Sequence, residues 1–235
     1  MSGTTIKEII PPVVSVDEVY RAGGADYSKR APRPGVAELH RLILMEAAAL
    51  VRPMAAWREV QILGVEGAEV FLAGGQKLTS RLLAKVAGKA ERLILFAMTI
   101  GNAIDDRVAD YSKAGNIMEA FTLDAAGTAF IASSSKVAIA QLNERYRADG
   151  MNITFPMGPG HSYWDGLEDM RTIFSFLDAD QIGIRLTDSN LMLPRKSIAM
   201  VMGVGCDLKD FGGKTHCDFC NIKKTCKMSN FTGVC

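Results

Sequence analysis

The feature that most constrains the fold is residues 117–147, a run of about thirty residues in which Gly127 is the only helix-breaking residue. Asn116 precedes the run, and Glu119 follows three positions later, which forms an N-cap pair. A helix of this length is roughly 45 Å long. Its middle is rich in Ala, Gly and Ser, and small residues let another element approach closely. We therefore expect this helix to lie at the centre of the packing.

Several apolar runs predict β-strands around this helix. Residues 92–100 form a near-continuous apolar run bounded by charge and glycine, which is typical of a strand buried on both faces. Residues 59–65 and 69–72, joined through Gly67, predict a β-hairpin. Residues 197–204 predict another buried strand.

Shorter helical patterns lie between these strands. Apolar residues recur at three- and four-residue spacing after Pro34, which predicts a helix that Pro53 ends or kinks. Residues 78–86 and 167–178 show the same spacing over shorter lengths. The elements together predict an α+β fold: a twisted, mainly antiparallel sheet packed with long helices, plus a small Cys-rich metal-binding extension.

The chain divides into three parts on composition. Residues 1–33 carry Pro and Gly pairs, and we expect them to form an N-terminal arm that lies over the body. Residues 34–205 form the predicted α+β domain, and residues 206–235 form a Cys-rich tail. We expect a strand over residues 151–156 that leads directly into a glycine-rich turn at residues 157–161.

Composition excludes several classes of function. The net charge of +1 argues against a nucleic-acid partner. No apolar stretch approaches the roughly eighteen residues of a membrane span, so we expect a cytoplasmic protein without membrane contact. All five cysteines lie at or after position 206, which does not suit a secreted disulfide scaffold.

A glycine-rich turn stands out after the long helix. Gly158 and Gly160 flank Pro159, and glycine lets the backbone approach a bulky planar ligand without obstruction from a Cβ atom. His161 and Tyr163 follow at once, with Trp164 beside them, and predict a polar and aromatic lip.

Four motifs then occur in a fixed order. They are Pro159-Gly160, Phe176-Leu177-Asp178, Gly183-Ile184-Arg185-Leu186-Thr187-Asp188-Ser189 and Met192-Leu193-Pro194-Arg195-Lys196-Ser197-Ile198. This order resembles the reactivation domain of vitamin B12-dependent methionine synthase, whose motifs are Ala-Pro-Gly-Tyr, Leu-Leu-Asp, Gly-x-x-Leu-Thr-Glu-Ser and Met-x-Pro-x-x-Ser-Val. The resemblance covers residues 78–205, with decreasing strength upstream.

The resemblance implies a function in maintaining a corrinoid methyltransferase. Cob(I)alamin occasionally oxidises to inactive cob(II)alamin, whose return to the cycle requires an electron and methylation by S-adenosylmethionine. The protein would hold the corrinoid and position the donor, while the cofactors supply the chemistry. The implied partner is a corrinoid protein or a B12-dependent methyltransferase on another chain. The implied cofactor-binding residues are Gly158, Pro159, Gly160, His161, Tyr163, Thr187, Asp188, Ser189 and Arg195.

Two departures from the family motifs support an alternative. Pro156 and His161 stand where the family has the Arg and the Tyr that lie close to S-adenosylmethionine. The alternative is a non-catalytic module that binds or senses a corrinoid, has lost S-adenosylmethionine binding and carries a structural zinc tail. A third hypothesis for the function is an iron-sulfur redox protein unrelated to corrinoids. His161 is either a hydrogen-bonding group near cobalt, or a ligand of cobalt, or a surface residue of the turn.

The tail suggests a metal site. Cys217 and Cys220 form a Cys-x-x-Cys unit, and Cys226 follows six residues later, so that three thiolates can bind one metal centre. One interpretation is an iron-sulfur cluster that delivers the electron, and another is zinc, with His216 as a possible substitute ligand. A third is free or disulfide-forming thiols, including Cys235. The predicted metal ligands are Cys206, Cys217, Cys220 and Cys226.

Overall fold

The computed structural model describes residues 3–27, 30–208 and 215–226. Its α-helices are α1 (Val16–Ala22), α2 (Pro34–Leu50), α3 (Arg81–Ala87), α4 (Ala103–Lys113), α5 (Ile117–Ala148) and α6 (Asp169–Phe176). Its strands are β1 (Thr5–Glu8), β2 (Met54–Glu66), β3 (Glu69–Leu72), β4 (Lys77–Thr79), β5 (Arg92–Thr99), β6 (Asn152–Ile153), β7 (Arg185–Leu186), β8 (Met192–Leu193) and β9 (Ser197–Gly205). Short 3₁₀ helices occur at Ala179–Ile182 and His216–Phe219. No helix within these ranges has both the length and the apolar character needed to cross a membrane.

The strands form a seven-stranded sheet and a separate pair. The order in the sheet is β4-β3-β2-β5-β9-β6, and β1 pairs with the first residues of β2. The ladders of this sheet are antiparallel. Strands β7 and β8 pair only with each other. The α+β class, with an antiparallel sheet packed against long helices, is therefore confirmed.

Strand β5 is buried on both faces, as its apolar run predicts. Every residue from Leu93 to Thr99 is buried. Successive side chains of a strand point to opposite faces. Phe96 and its even-numbered neighbours accordingly join the core formed with α1, α2 and α5. Leu95 and its odd-numbered neighbours join a second core, which includes α3 and Ile173 of α6. The sheet therefore separates two hydrophobic cores.

Helix α5 lies in the first core and matches the predicted range within one residue at its end. It packs against α1, α2 and α4. Asn116 is the N-cap residue, as the sequence predicts, but its side chain makes no capping hydrogen bond and its ψ of 66° is not extended. Gly127 gives the close approach that the small residues predict. A Cβ atom at this position would lie 2.9 Å from Ile104 Cγ2 and 3.1 Å from Lys196 Cε.

Two boundaries differ from the prediction. Residues 77–79 form strand β4 rather than the start of a helix, because Ser80 Oγ caps α3 by accepting a hydrogen bond from Leu83 N at 3.3 Å. The strand expected over residues 151–156 is limited to the two residues of β6, followed by an isolated bridge between Met157 and Val201.

The described part of the N-terminal segment contributes to both layers. Strand β1 pairs with β2, and Thr5 lies opposite Trp57. Helix α1 begins at a capping box between Ser15 and Glu18, and it packs against α5. This segment thus adds an edge strand and a helix to the fold.

We expect Gly127→Ala to lower the free energy of unfolding by about 1–3 kcal/mol, because the added methyl group would overlap Ile104 and the buried Lys196 stem. Gly35→Ala in α2 is the control. A Cβ atom there meets nothing within 4 Å, and alanine should stabilise the helix by up to roughly 1 kcal/mol. Urea denaturation measures both values. Equal effects of the two substitutions would contradict close packing at Gly127.

Candidate functional site

The Pro-Gly turn is held against β9 by its backbone. Met157 N donates to Val201 O at 3.0 Å, and Val201 N donates to Met157 O at 2.6 Å. A Cβ atom at Gly158 would lie 2.7 Å from the carbonyl oxygen of Ala199, and one at Gly160 would lie 2.9 Å from Leu167. The close approaches that these glycines allow are therefore made by the protein itself. Their role in ligand binding remains a prediction.

The lip consists of two stacked rings. The His161 and Tyr163 rings are nearly parallel, with an interplanar angle of 6° and centroids 5.2 Å apart. Trp164 does not belong to the lip, because it is buried in the second core and its Nε1 donates to Asp169 Oδ2 at 2.8 Å. The apolar area of the indole ring is the reason that it turns inward while its polar edge finds a partner.

A cavity of about 150 Å³ separates the turn from the segment that precedes and begins β9. Two of the residues that line it carry side-chain oxygen atoms that are buried and make no hydrogen bond with the described residues: Asn190 Oδ1 and Ser197 Oγ. A buried acceptor without a partner is costly, and in native proteins it commonly marks a place for water or a ligand. The cavity is lined by Pro159, His161, Leu167, Met170, Asn190, Leu191, Met192, Ser197, Ile198, Ala199 and Met200.

The Thr-Asp-Ser motif folds into the turn that carries Asn190. Thr187 Oγ1 lies 3.0 Å from Ser189 Oγ and accepts a hydrogen bond from Leu191 N at 3.1 Å. The carbonyl oxygen of Asp188 accepts a hydrogen bond from Arg171 at 2.9 Å. The two hydroxyls thus stabilise the turn, and the residue that reaches the cavity is Asn190, with a positive φ of 63°. Asn190 follows Ser189 between two short apolar segments, and a Ser-Asn pair in that position is typical of a turn.

Arg195 and Lys196 meet acidic residues of α4 and α5 rather than solvent alone. Lys196 is 8% exposed, and its Nζ lies 2.9 Å from Asp124 Oδ2 and 3.0 Å from Thr128 Oγ1. Arg195 N donates to Asp105 Oδ2 at 2.6 Å, and its guanidinium is 3.8 Å from Asp124. Basic side chains on a Pro turn are commonly solvated, but Lys196 is buried here because Gly127 leaves room for its stem.

A larger cavity of about 870 Å³ lies beside Tyr163. Arg81 and Lys85 of α3 line it, together with Asp165 and Glu168. Tyr163 lines this cavity, whereas His161 lines the small one. The two rings of the lip therefore stand between the two cavities.

The described part of the tail, residues 215–226, packs onto the lip. The His216 ring centroid lies 5.6 Å from that of His161 and 6.1 Å from that of Tyr163. Phe219 stacks on Phe155 with centroids 5.6 Å apart. Ser162 Oγ accepts a hydrogen bond from Asn221 N at 2.9 Å. The sequence contained no pattern that predicts this contact.

The described cysteines are not arranged as one ligand set. Cys206 is exposed near Glu91, which raises the pKa of its thiol by hydrogen bonding. Cys217 Sγ lies 3.7 Å from His216 Nε2, whereas Cys220 Sγ lies 3.4 Å from Ser162 Oγ. Residues 3–27, 30–208 and 215–226 contain no group of three or more His, Cys, Asp or Glu side chains placed to hold a metal ion.

The sequence still supports a metal site in the tail. The ligand set of Cys206, Cys217, Cys220 and Cys226 is still a prediction from spacing. Cys235 lies outside the described residues. The function proposed for this protein does not depend on a metal ion bound by the tail.

Burial keeps both histidines at this contact neutral. It lowers the pKa of His161. Burial, and next the charge of His161, lower the pKa of His216 to about 4. The backbone of Pro156 also hydrogen-bonds the His216 ring, which acts in the opposite direction. Because an undocked His216 would bind a proton more readily than the docked ring, tail docking weakens as the pH falls from about 6.5 to about 4.

Comparison with known proteins finds a likeness in fold. This chain superposes on the structure described as "Crystal Structure of the MetH Reactivation Domain bound to AdoHcy" with a TM-score of 0.56 and 14% sequence identity. The match covers 89% of this chain and 80% of that chain. No protein-family model matches the sequence, and no curated protein matches it. The fold expected from the motifs is therefore confirmed.

We expect acid to release the tail from the lip. The difference between a pKa of 6.5 and one of about 4 corresponds to roughly 3 kcal/mol of docking free energy once the pH reaches 4. After correction for the slower intrinsic amide exchange at low pH, the hydrogen-exchange protection factors of residues 215–226 should fall between neutral and acid pH. His216→Phe keeps a planar apolar ring that cannot be protonated, so its exchange should respond less. An identical acid response in both proteins would show that another group controls docking.

Proposed function

We propose that this protein binds an S-adenosylmethionine-type ligand and supports the reactivation of a corrinoid-dependent methyltransferase on another chain. The observation that carries the proposal is the 150 Å³ cavity. It lies where the Pro-Gly turn meets residues 190–200, the two segments that carry much of the sequence resemblance. The likeness in fold to a reactivation domain solved with AdoHcy supports the same ligand class.

The chemistry of the cavity suits part of such a ligand. Asn190 Oδ1 and Ser197 Oγ are buried oxygens that can accept hydrogen bonds from amino groups, which S-adenosylmethionine carries on its adenine ring and its amino acid. The remaining wall is largely apolar, with the polarizable side chains of Met170, Met192 and Met200. The cavity would therefore hold one end of the ligand, and the rest would extend along the turn.

The larger cavity offers a place for the corrinoid side of the reaction. Its 870 Å³ lies within the range of small-molecule and cofactor pockets. Arg81 and Lys85 on one wall and Asp165 and Glu168 on another can meet the mixed polar side chains of a corrinoid or of its carrier protein. In this proposal Tyr163 and His161 stand between donor and acceptor.

The contribution of the chain to the reaction is binding and orientation. When bound, the cofactors supply a methyl group from the sulfonium and an electron from an external reductant to cobalt. Burial keeps His161 neutral, so that its ring adds no positive charge beside a cationic donor. The turn and lip would hold donor and acceptor and exclude water. No side chain is assigned a catalytic role.

The alternative function is a corrinoid-binding or corrinoid-sensing module that does not bind S-adenosylmethionine. A specific observation favours it. Pro156 stands at the position of the family Arg, and its backbone is hydrogen-bonded to His216 of the tail. Corrinoid binding without AdoHcy binding would select this alternative.

The metal-binding tail and the division into residues 1–33, 34–205 and 206–235 are separate proposals from the sequence. Metal and sulfide analysis of protein purified without oxygen tests the first. We expect bound iron with sulfide, or zinc, to be lost in a Cys217→Ser/Cys220→Ser variant. Wild-type protein without either metal would contradict it.

We expect Asn190→Gly and Ser197→Ala each to weaken AdoHcy binding roughly tenfold, because each removes one hydrogen-bond acceptor. Glycine tolerates the positive φ at position 190, so the first substitution keeps the backbone of the turn. Isothermal titration calorimetry measures the affinities. Ser112→Ala, which removes a hydroxyl bonded to Val108 O on α4, is the matched control and should not change binding. Unchanged affinity in both site variants would contradict the proposed site.

A further inference from the structure

A third cavity lies away from the lip, between β1 and α5. Its volume is about 290 Å³, and Trp57 and Phe96 from neighbouring strands form part of its wall. Ile9 closes another side, and it is 1% exposed. None of the residues around this cavity lines either cavity of the candidate site.

Residues at helical spacing on α5 form the opposite wall of the cavity. Ala138, Gln141, Leu142 and Arg145 line the cavity and recur at three- and four-residue spacing, so they share one face of the helix. Ala138 and Leu142 are buried, whereas Arg145 is exposed. The wall is therefore apolar at depth and cationic at its outer end.

The cavity opens to solvent, because Thr5, Lys7 and Arg145 at its rim are exposed. Its floor is apolar, since Ile9, Trp57 and Phe96 are buried. Covering such an apolar floor with an apolar group is favourable. The body of a suitable occupant is therefore a hydrocarbon chain or ring.

The charged residues that line the cavity indicate which polar group a ligand with a hydrocarbon body would carry. Lys7 and Arg145 are the charged residues that line it, and both are cationic. Lys7 Nζ donates to Gln141 Oε1 at 2.6 Å, which spans the gap between β1 and α5. Arg145 forms no hydrogen bond or ion pair with the side chains that the structure describes. A guanidinium at the rim of a cavity with an apolar floor suits a carboxylate, which it can bind through two parallel hydrogen bonds.

We propose that this cavity binds an aliphatic monocarboxylate of medium chain length. The chain lies against Trp57 and Phe96, and the carboxylate lies at Arg145. The site is independent of the candidate site at the lip, and its occupant does not enter the reaction proposed there. Binding would tie β1 to α5, since both elements form its walls.

Titration calorimetry of the whole protein with octanoate and with octanol tests the proposal. We expect octanoate to bind, and octanol to bind about tenfold more weakly because it lacks the charge-assisted hydrogen bonds. Arg145→Gln should reduce octanoate affinity to that of octanol and leave octanol affinity unchanged. Arg147→Gln is the matched control, because Arg147 is also exposed on α5 but does not line the cavity.

A second variant tests the chain-binding part. Ala138→Leu fills the cavity from α5 and should abolish binding of both ligands, and a thermal melt establishes that the variant is folded. The surface substitution Arg145→Gln keeps the test valid if Ala138→Leu does not fold. Absence of octanoate binding to the wild-type protein, or equal losses in Arg145→Gln and Arg147→Gln, would overturn the proposal.

Discussion

The pairing of β9 with β5 is the constraint on which both cores and the candidate site depend. The ladder runs from Arg92 opposite Val204 to Thr99 opposite Ser197. Because β5 is buried on both faces, a slip of one residue would move every side chain of β9 into the wrong core. The register therefore determines where Ser197 meets the cavity and where Val201 receives the backbone of Met157.

The support for this arrangement comes from α5. Gly127 lets Lys196 enter beside the helix, where its ammonium group pairs with Asp124. Removing the lysine would leave the Asp124 carboxylate with the more exposed Arg195 guanidinium at 3.8 Å, which is a weaker pairing than the ammonium group at 2.9 Å. The segment leading into β9 is thus tied to the longest helix just before the residues that line the small cavity.

The candidate site was only partly predictable from the sequence. The Pro-Gly turn and the segment before β9 were found because their motifs are local and carry Pro, Gly and Asn at turns. Thr187 and Ser189 were assigned to a ligand, but their hydroxyls stabilise the turn that presents Asn190. Whether a hydroxyl faces its own backbone or a cavity depends on neighbours far along the chain. A motif does not contain that information.

The sequence by itself determined the elements of this protein. These are the uninterrupted helix α5, the strand β5 that is buried on both faces of the sheet, and the order of turns in the second half of the chain. These follow from periodicity and from backbone preferences that act over a few residues. Only the tertiary structure decided the partners. It placed the tail on the lip, β1 on β2, and Lys196 on Asp124, since each of these contacts joins residues distant in the chain. Such contacts depend on the packing of complete surfaces, which no short pattern encodes.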